Sequence, residues 1–458
     1  IGELEYACHE NRLAELRGFG KKTQDNILAG IEKLKLYKER RLYPEMEAQA
    51  RVLLDSLRQN KNVIRISIAG SLRRCAETVK DIDIVASSAN PAALADYFVA
   101  LPFIKTVTGK GNTKASVTLQ SGINADLRIV RDAEFPHALL HFTGSKEHNT
   151  VLRGKAKNIG LKINEYGLWR GENNITCRSE EEIFSHLGLP YIPPELRENM
   201  GEIAAAEEGT LPTLVEEEDI YGLFHVHTSF SDGANTLEEM VSAARKMGLQ
   251  YIGISDHSQS AYYAGGLKIA DIEKQRQLID ELNIKYAPFH IFRGIESDIM
   301  PDGSLDYDDK VLAGFDFVIA AIHSHFHMPG AEMTERIRKT LQNYYTTMLA
   351  HPTGRLLLAR EPYDLDVREI IDTAARSGKI IELNANPHRL DLDWRHCIYA
   401  RKKGVKISIN PDAHNITGLA DISLGVKIAR KGWLTKRDCI NCLNTEEMKT
   451  WLNSRKNK

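Results

Sequence analysis

The 458-residue chain has no apolar run approaching the ~20 residues that cross a bilayer as a helix, and no cleavable-leader pattern at its start. A membrane-spanning helix is therefore not expected. Cysteine is scarce: six residues, at 8, 75, 177, 397, 439 and 442, in a chain that is otherwise of ordinary globular composition. That excludes a disulfide scaffold and suits a reducing cytoplasm. Cys439-Ile-Asn-Cys442 has no second CxxC to complete a four-thiolate zinc site and reads as two helix cysteines. A starting methionine is also missing, since the chain opens Ile-Gly-Glu-Leu, and a trimmed N-terminus is expected. Net charge is nearly absent at −2, but it is unevenly spread. Residues 61–170 hold 16 Lys and Arg against 9 Asp and Glu, which suits an anionic polymer. Eleven of the sixteen histidines lie beyond residue 200.

What is present begins with Gly70 to Asp83. An alternating apolar run, Val63 to Ile68, reads as a strand broken by Gly70-Ser71, with Arg73 and Arg74 next. Asp81-Ile-Asp83-Ile-Val starts a second strand. Residues i and i+2 share a strand face, so Asp81 and Asp83 point together and Ile82 and Ile84 face the core. Two solvated aspartates at a sheet edge would show the same pattern. A third carboxylate, Asp126, opens the strand-like Asn124 to Val130 and could join them. Three carboxylates can hold two Mg²⁺ or Mn²⁺ ions, with Gly70, Ser71, Arg74 and local N–H groups taking phosphates.

Upstream, residues 11–35 read as helix, tight turn, helix, with Gly18, Gly20, Lys21 and Lys22 at the turn. Such a turn can hold an anion on backbone N–H groups, and an ordinary helical hairpin fits it equally. Helix is expected at 45–59 and 91–100, and strands at 105–108 and 115–119.

These residues, with Phe142-Thr-Gly144-Ser-Lys-Glu-His-Asn149 and Arg153, resemble the family X DNA polymerases within the nucleotidyltransferase superfamily. The resemblance implies that Asp81, Asp83 and Asp126 are catalytic, and that Phe142 and Gly144 line the nucleotide sugar. It also implies that Asn149 and Arg153 meet the incoming nucleotide and the template, and that Ile163 to Tyr166 is a thumb strand. His141 stands where the family often has tyrosine. The hairpin then becomes a helix-hairpin-helix that grips DNA backbone. The expected layout is a DNA-binding segment at 1–42, a palm with a mixed sheet at 43–145 and a thumb at 146–200. A solvated linker at 201–219, read from its Glu-rich composition, precedes a last domain at 220–458.

That last domain alternates helices with short apolar strands, the pattern of a βα barrel, whose site belongs at the C-terminal strand ends. Nine metal-ligating side chains recur there: His225, His227, Asp232, His257, Glu296, His323, His351, Asp412 and His414. They could hold two or three Zn²⁺ or Mn²⁺ ions for phosphoester hydrolysis. His325 and His327 are read as rim residues on the strand face of His323. Arg355 and Arg389 are read as phosphate holders or surface ion pairs. The His225-x-His227 and Ser231-Asp232-Gly233 motifs resemble the polymerase-and-histidinol-phosphatase (PHP) domain, which implies a distorted (βα)7 barrel and a trinuclear site. By that analogy His225, His227, Glu296 and Asp412 hold one ion. Glu296 bridges to a second with His323 and His351, and Asp232, His257 and His414 hold the third.

The expected protein is thus a multidomain α/β repair enzyme acting on gapped or primer-template DNA with deoxynucleoside triphosphates, monomeric and away from membranes. One site adds nucleotides and the other removes them as a 3′-5′ exonuclease, 3′-phosphatase or abasic-site endonuclease. A phosphoesterase tethered to a DNA-binding module with an inert palm is the alternative.

Overall fold

The structure, a computed structural model, describes residues 20–456 together with Leu4 and Cys8. The turn carrying Gly18 lies outside the described residues; Gly20, Lys21 and Lys22 are exposed at the start of the helix Lys21–Lys38. The chain divides into two compact units, one of Ile1–Gly144 with Ala156–Ile183 and one of Ser145–Lys155 with Phe184–Lys458.

The first unit is built on a five-stranded sheet. Its strands are β1 (Val63–Ile68), β2 (Asp81–Ser88), β3 (Ile104–Lys110), β4 (Lys114–Leu119) and β5 (Asn124–Val130), in the order β1-β2-β5-β4-β3. Only β2 and β5 run parallel. Two helices pack on the sheet. Tyr43–Arg58 buries Met46, Ala50, Leu53 and Leu57, spaced three and four residues apart as one helix face requires. Pro91–Val99 starts where Asn90 accepts a hydrogen bond from the Ala93 N–H at 3.2 Å and Pro91 fills a position that needs no N–H. A third helix, Phe135–Thr143, presses Phe135, Ala138 and Leu139 onto Ala69 and Val85. A small antiparallel sheet follows: β6 (Lys162–Asn164), β7 (Gly167–Arg170) and β8 (Asn173–Ile175).

The second unit holds seven parallel strands in sequence order: β9 (Gly222–Val226), β10 (Tyr251–Ile254), β11 (His290–Asp298), β12 (Phe317–Ala321), β13 (Met348–Leu349), β14 (Ile380–Asn384) and β15 (Ile407–Asn410). A bridge between Val226 and Ala413 brings the last strand back to the first, so the sheet nearly closes as a (βα)7 barrel. Tyr251, Phe317, Met348 and Ile380, the first residues of their strands, join Phe224 and Phe292 in one cluster, and the C-terminal helix Thr445–Lys456 adds Met448 and Leu452. Apolar packing thus fills the N-terminal end, leaving the C-terminal end for polar groups.

Several expectations change. The 201–219 segment is solvated only in part. Glu202 opens a helix, Glu202–Glu207, and its carboxylate is buried against His148 Nδ1 at 2.6 Å. It also accepts from the N–H groups of Asn199 at 3.0 Å and Met200 at 2.8 Å. Burial alone would raise its pKa; the His148 hydrogen bond and the backbone donors hold it below the usual range. Nearby, Lys431 reaches Glu198 at 2.5 Å, Arg430 reaches Glu195 at 2.6 Å, and the Val215 N–H donates to Leu434. The segment's flanks therefore meet the helix Ile422–Lys431, where Arg430 also pairs with Glu216 and the Ser423 hydroxyl donates to Glu217 at 3.1 Å, while Glu207, Glu208 and Glu218 face solvent. The helix Gly330–Gln342 ends at Asn343, which leaves it with extended backbone. Strand β12 stops at Ala321, so His325 and His327 sit in the turn that follows rather than on a strand face. Cys439 and Cys442 flank a single buried 3₁₀ turn, not an α-helix.

Candidate active sites

In the first unit, β2 alternates as its sequence requires: Ile82 and Ile84 are fully buried while Asp81 and Asp83 are half-buried. The parallel register sets Asp83 directly beside Asp126 and Asp81 beside Asn124, whose amide reaches Asp81 at 3.3 Å. Three carboxylates thus share one sheet face. Burial and then the charges of Asp126 and Asp81 push the Asp83 carboxyl up to about 6. Lys114 partly offsets this charge by pairing with Asp126 at 2.7 Å.

Gly70 is needed where it stands. Its φ is +62°, and a Cβ there would fall 2.1 Å from Asp83 Oδ2. The short turn Gly70–Arg73 can therefore press its backbone against the carboxylates. Ser71 follows it, half-buried. Arg74 donates to the Thr143 carbonyl at 2.6 Å, and Arg73 forms a two-pronged pair with Glu180 at 2.6 and 3.0 Å. Arg74, with Arg73 on the Thr143 hydroxyl at 2.7 Å, ties the turn to the end of the Phe135–Thr143 helix, where Gly144 turns out of the helix at φ +72°. Phe142 lies under the Arg128 guanidinium at 4.7 Å with His141 edge-on at 5.0 Å. In the other unit, Asn149 is buried and Arg153 exposed on the helix Lys146–Asn158.

The barrel brings all nine expected ligands to the C-terminal strand ends. Glu296 is the hub: its oxygens lie 3.2 Å from His225, 3.5 Å from His227, 3.0 Å from His257, 3.4 Å from His323 and 3.1 Å from His351. Asp412 Oδ1 is 3.3 Å from the Nε2 atoms of both His225 and His227. Asp232 lies 3.6 Å from His257 and 3.5 Å from His414. The ligand atoms fall into overlapping groups: His227 with Asp232, His257 and His414; His225 with His227 and Asp412; His225 with Glu296 and His351; and His257 with Glu296 and His323. His225, His351 and Asp412 all have positive φ (59°, 25° and 52°), a strain that non-glycine residues bear where the surroundings impose it.

These residues fit a metal cluster by a test independent of motif. His225 Nε2, both ring nitrogens of His227, His257 Nδ1 and Glu296 Oε2 are buried and make no hydrogen bond of acceptable geometry. Buried polar atoms are rarely left so. Burial, then the neighbouring His257 and His414, hold His227 down near 3, neutral and ready to coordinate. At His225 burial opposes charge, but Glu382, Asp412 and Glu296 overcome it and hold the ring above its ordinary value.

Sequence reading missed a supporting layer. Glu382, fully buried on β14, accepts from His225 Nδ1 at 2.6 Å, the His351 N–H at 2.7 Å and Asn410 at 2.8 Å. Asp298 receives His323 Nδ1 at 2.6 Å. Asp256 gathers Thr228, Ser231 and Gln275, fixing the loop that carries Asp232. Carboxylates behind the rings aim the outer nitrogens of His225 and His323 at the cluster. The available signal was a lone acid inside an apolar strand, Ile380-Ile-Glu382-Leu, which can be buried only with partners. Arg389 reaches Asp412 at 3.3 Å and borders the cluster. Arg355 is neither a surface pair nor a phosphate holder: it is buried, bonded to the Arg389 carbonyl at 2.9 Å and Asp393 at 2.6 Å.

Comparison with known proteins bears on both sites. Residues 138–198 match the family described as DNA polymerase beta thumb, and residues 224–386 match the PHP domain. The DNA polymerase/3′-5′ exonuclease PolX of Bacillus subtilis (strain 168) is 41% identical over 453 residues, covering 98% of this chain and 79% of that protein. This chain belongs to the PolX family. Shorter stretches of the chain match other proteins. A probable phosphatase of Caldicellulosiruptor saccharolyticus is 32% identical over 211 residues, 43% of this chain and 81% of that protein. The DNA-directed DNA/RNA polymerase mu of Homo sapiens is 44% identical over 78 residues, 16% of each chain. Among the described residues no helix is long and apolar enough to cross a membrane.

Proposed function

We propose that this PolX-family chain extends DNA 3′ ends at the Asp81, Asp83 and Asp126 face and hydrolyses them at the barrel cluster, as in the repair of short gaps. The observation that carries the reading is the pair of carboxylate systems, three on one sheet face and nine mixed ligands at six of the seven strand ends, each in a different unit.

In the first unit the three aspartates would hold two Mg²⁺ or Mn²⁺ ions, Asp126 serving the one that meets the primer hydroxyl. Such ions, when bound, lower the barrier by activating the hydroxyl and neutralising the leaving phosphates. Gly70, Ser71 and Arg74 receive the triphosphate on backbone and side-chain donors, Phe142 and Gly144 line the sugar, and Asn149 and Arg153 contact base and template. Gly20, Lys21 and Lys22, together with Gly18, hold the DNA backbone without reading sequence.

In the barrel the nine ligands would hold two or three Zn²⁺ or Mn²⁺ ions, which supply a nucleophilic water and charge stabilisation for phosphoester cleavage. The chain's part is positioning. Glu382 and Asp298 orient His225 and His323, and Arg389 places positive charge beside Asp412 to receive a substrate phosphate. An inert palm would give no reason for Gly70 to press against Asp83.

The test is an end-labelled primer on gapped DNA with Mn²⁺. The label should lengthen with nucleotides present, shorten without them, and stay unchanged with chelator. A label that neither lengthens nor shortens overturns the reading.

A further inference from the structure

The loop after β10 carries the two most exposed large aromatic side chains of this barrel's mouth. Tyr262 is 89% exposed and Tyr263 71%. A pair of adjacent exposed aromatic rings offers two large flat faces of the kind enriched where partners bind. Their place is specific. The Tyr263 ring lies 6.1 Å from that of His257 and 6.3 Å from that of His323, so it borders two residues of the metal cluster. The loop is also pinned. Ser260 donates through its hydroxyl to Asp298 at 2.9 Å and through its N–H to Asp306 at 2.8 Å, and Asp298 is the carboxylate that orients His323. The 3₁₀ turn Tyr262–Ala264 is closed by the Ala264 N–H on Ala261 and ends at Gly265, φ +66°. The backbone that carries both tyrosines is therefore held in place, with the Tyr263 ring beside the cluster.

We propose that Tyr262 and Tyr263 form a stacking platform for the 3′-terminal nucleobase of a DNA strand whose last phosphodiester lies at the barrel cluster. The inference rests on the hydrolytic reading of the barrel and adds a subsite to it. Bases stack on aromatic rings with little regard to sequence, as a trimming activity requires. A strand that places its last phosphate among His257, His323 and Arg389 must also place a base beside that phosphate, and the Tyr263 ring borders the first two of these. The tyrosines are positioning residues; they bond to no reacting atom.

The test compares two single-stranded oligonucleotides, identical except that one ends in an ordinary nucleotide and the other in a base-free tetrahydrofuran residue. Both present the same terminal phosphodiester. The wild-type chain should show a KM about tenfold or more lower for the ordinary end, in line with one stacked base. Tyr263→Ala should erase that preference by raising KM for the ordinary end alone, Tyr263→Phe should keep it, and Tyr262→Ala should reduce it partly. Bound metal should be unchanged in all three variants, measured by elemental analysis. A wild-type chain that cleaves both ends alike, or a Tyr263→Ala chain that keeps the preference or slows both ends equally, overturns the platform and leaves the hydrolytic reading intact. A wild-type chain that cleaves neither end overturns both.

Discussion

The two carboxylate sites differ in how finished they are. The barrel cluster is buried at its centre and braced: His225, His227, Glu296 and His351 are essentially inaccessible, Asp232 and His414 form an open rim, and a second layer of Glu382, Asp298 and Asp256 fixes its rings and loops. The palm site is open and lean. Its aspartates are half-buried on two strands, and Lys114 answers one of them directly. Preorganised ligands with supporting carboxylates suit a cluster that holds its ions between turnovers. Half-exposed carboxylates suit ions that arrive with a nucleotide, whose phosphates complete the coordination.

The largest effect that could break this contrast is loss of the brace. Glu382→Ala removes the partner of His225 Nδ1 and the acceptor of the His351 N–H, so metal affinity of the barrel should fall about 10- to 100-fold. Elemental analysis after dialysis measures it, and unchanged metal content would mean that the second layer is ornamental. Primer extension should survive.

Next is Gly70→Ala. The new methyl must displace the Asp83 carboxylate from 2.1 Å and adopt a left-handed φ, at a cost of about 1–3 kcal/mol in local strain. Extension should drop by about tenfold or more while strand degradation holds. Equal extension by the variant would show that the turn does not set the carboxylates.

A smaller, pH-dependent effect follows from Asp83. Its pKa is raised in the folded chain to about 6, so the native state binds this proton more tightly than the unfolded state does. Stability from this group is therefore full below pH 4 and lost as pH rises through 6. A divalent ion that takes the proton's place reverses the loss. Added Mn²⁺ should raise the Tm of an Asp83-containing chain more at pH 7.5 than at pH 5, relative to Asp83→Asn. An equal rise at both pH values would contradict the assignment.

The smallest effect is Lys114→Met. The pair with Asp126 is more than a third exposed on the lysine side, and such pairs contribute about 0–1 kcal/mol. Tm should move by no more than a degree or two, whereas the Mn²⁺ concentration for half-maximal extension should shift measurably.

Both groupings were legible in the sequence because each rests on local periodicity. Asp81 and Asp83 share a face by strand alternation, and the barrel residues recur where apolar strands end. What stayed hidden depends on contacts between distant segments. Glu382 looked like one acid in a strand until His225, 157 positions away, met it. The acidic run after residue 201 read as solvent-facing by composition, yet Glu202 is buried with His148. Arg355 carried the composition of a surface charge and braces the 389–393 loop instead. His325 and His327 followed strand spacing past the point where β12 ends. Charge pattern shows how many ions must be answered; only the fold shows which partner answers them.

The most direct test of two separate sites uses one end-labelled recessed primer, Mn²⁺ and two variants. Asp83→Ala should stop lengthening and leave shortening at the wild-type rate, and His227→Ala should stop shortening and leave lengthening. If either single substitution abolished both activities in a folded chain, the two-site account would be contradicted.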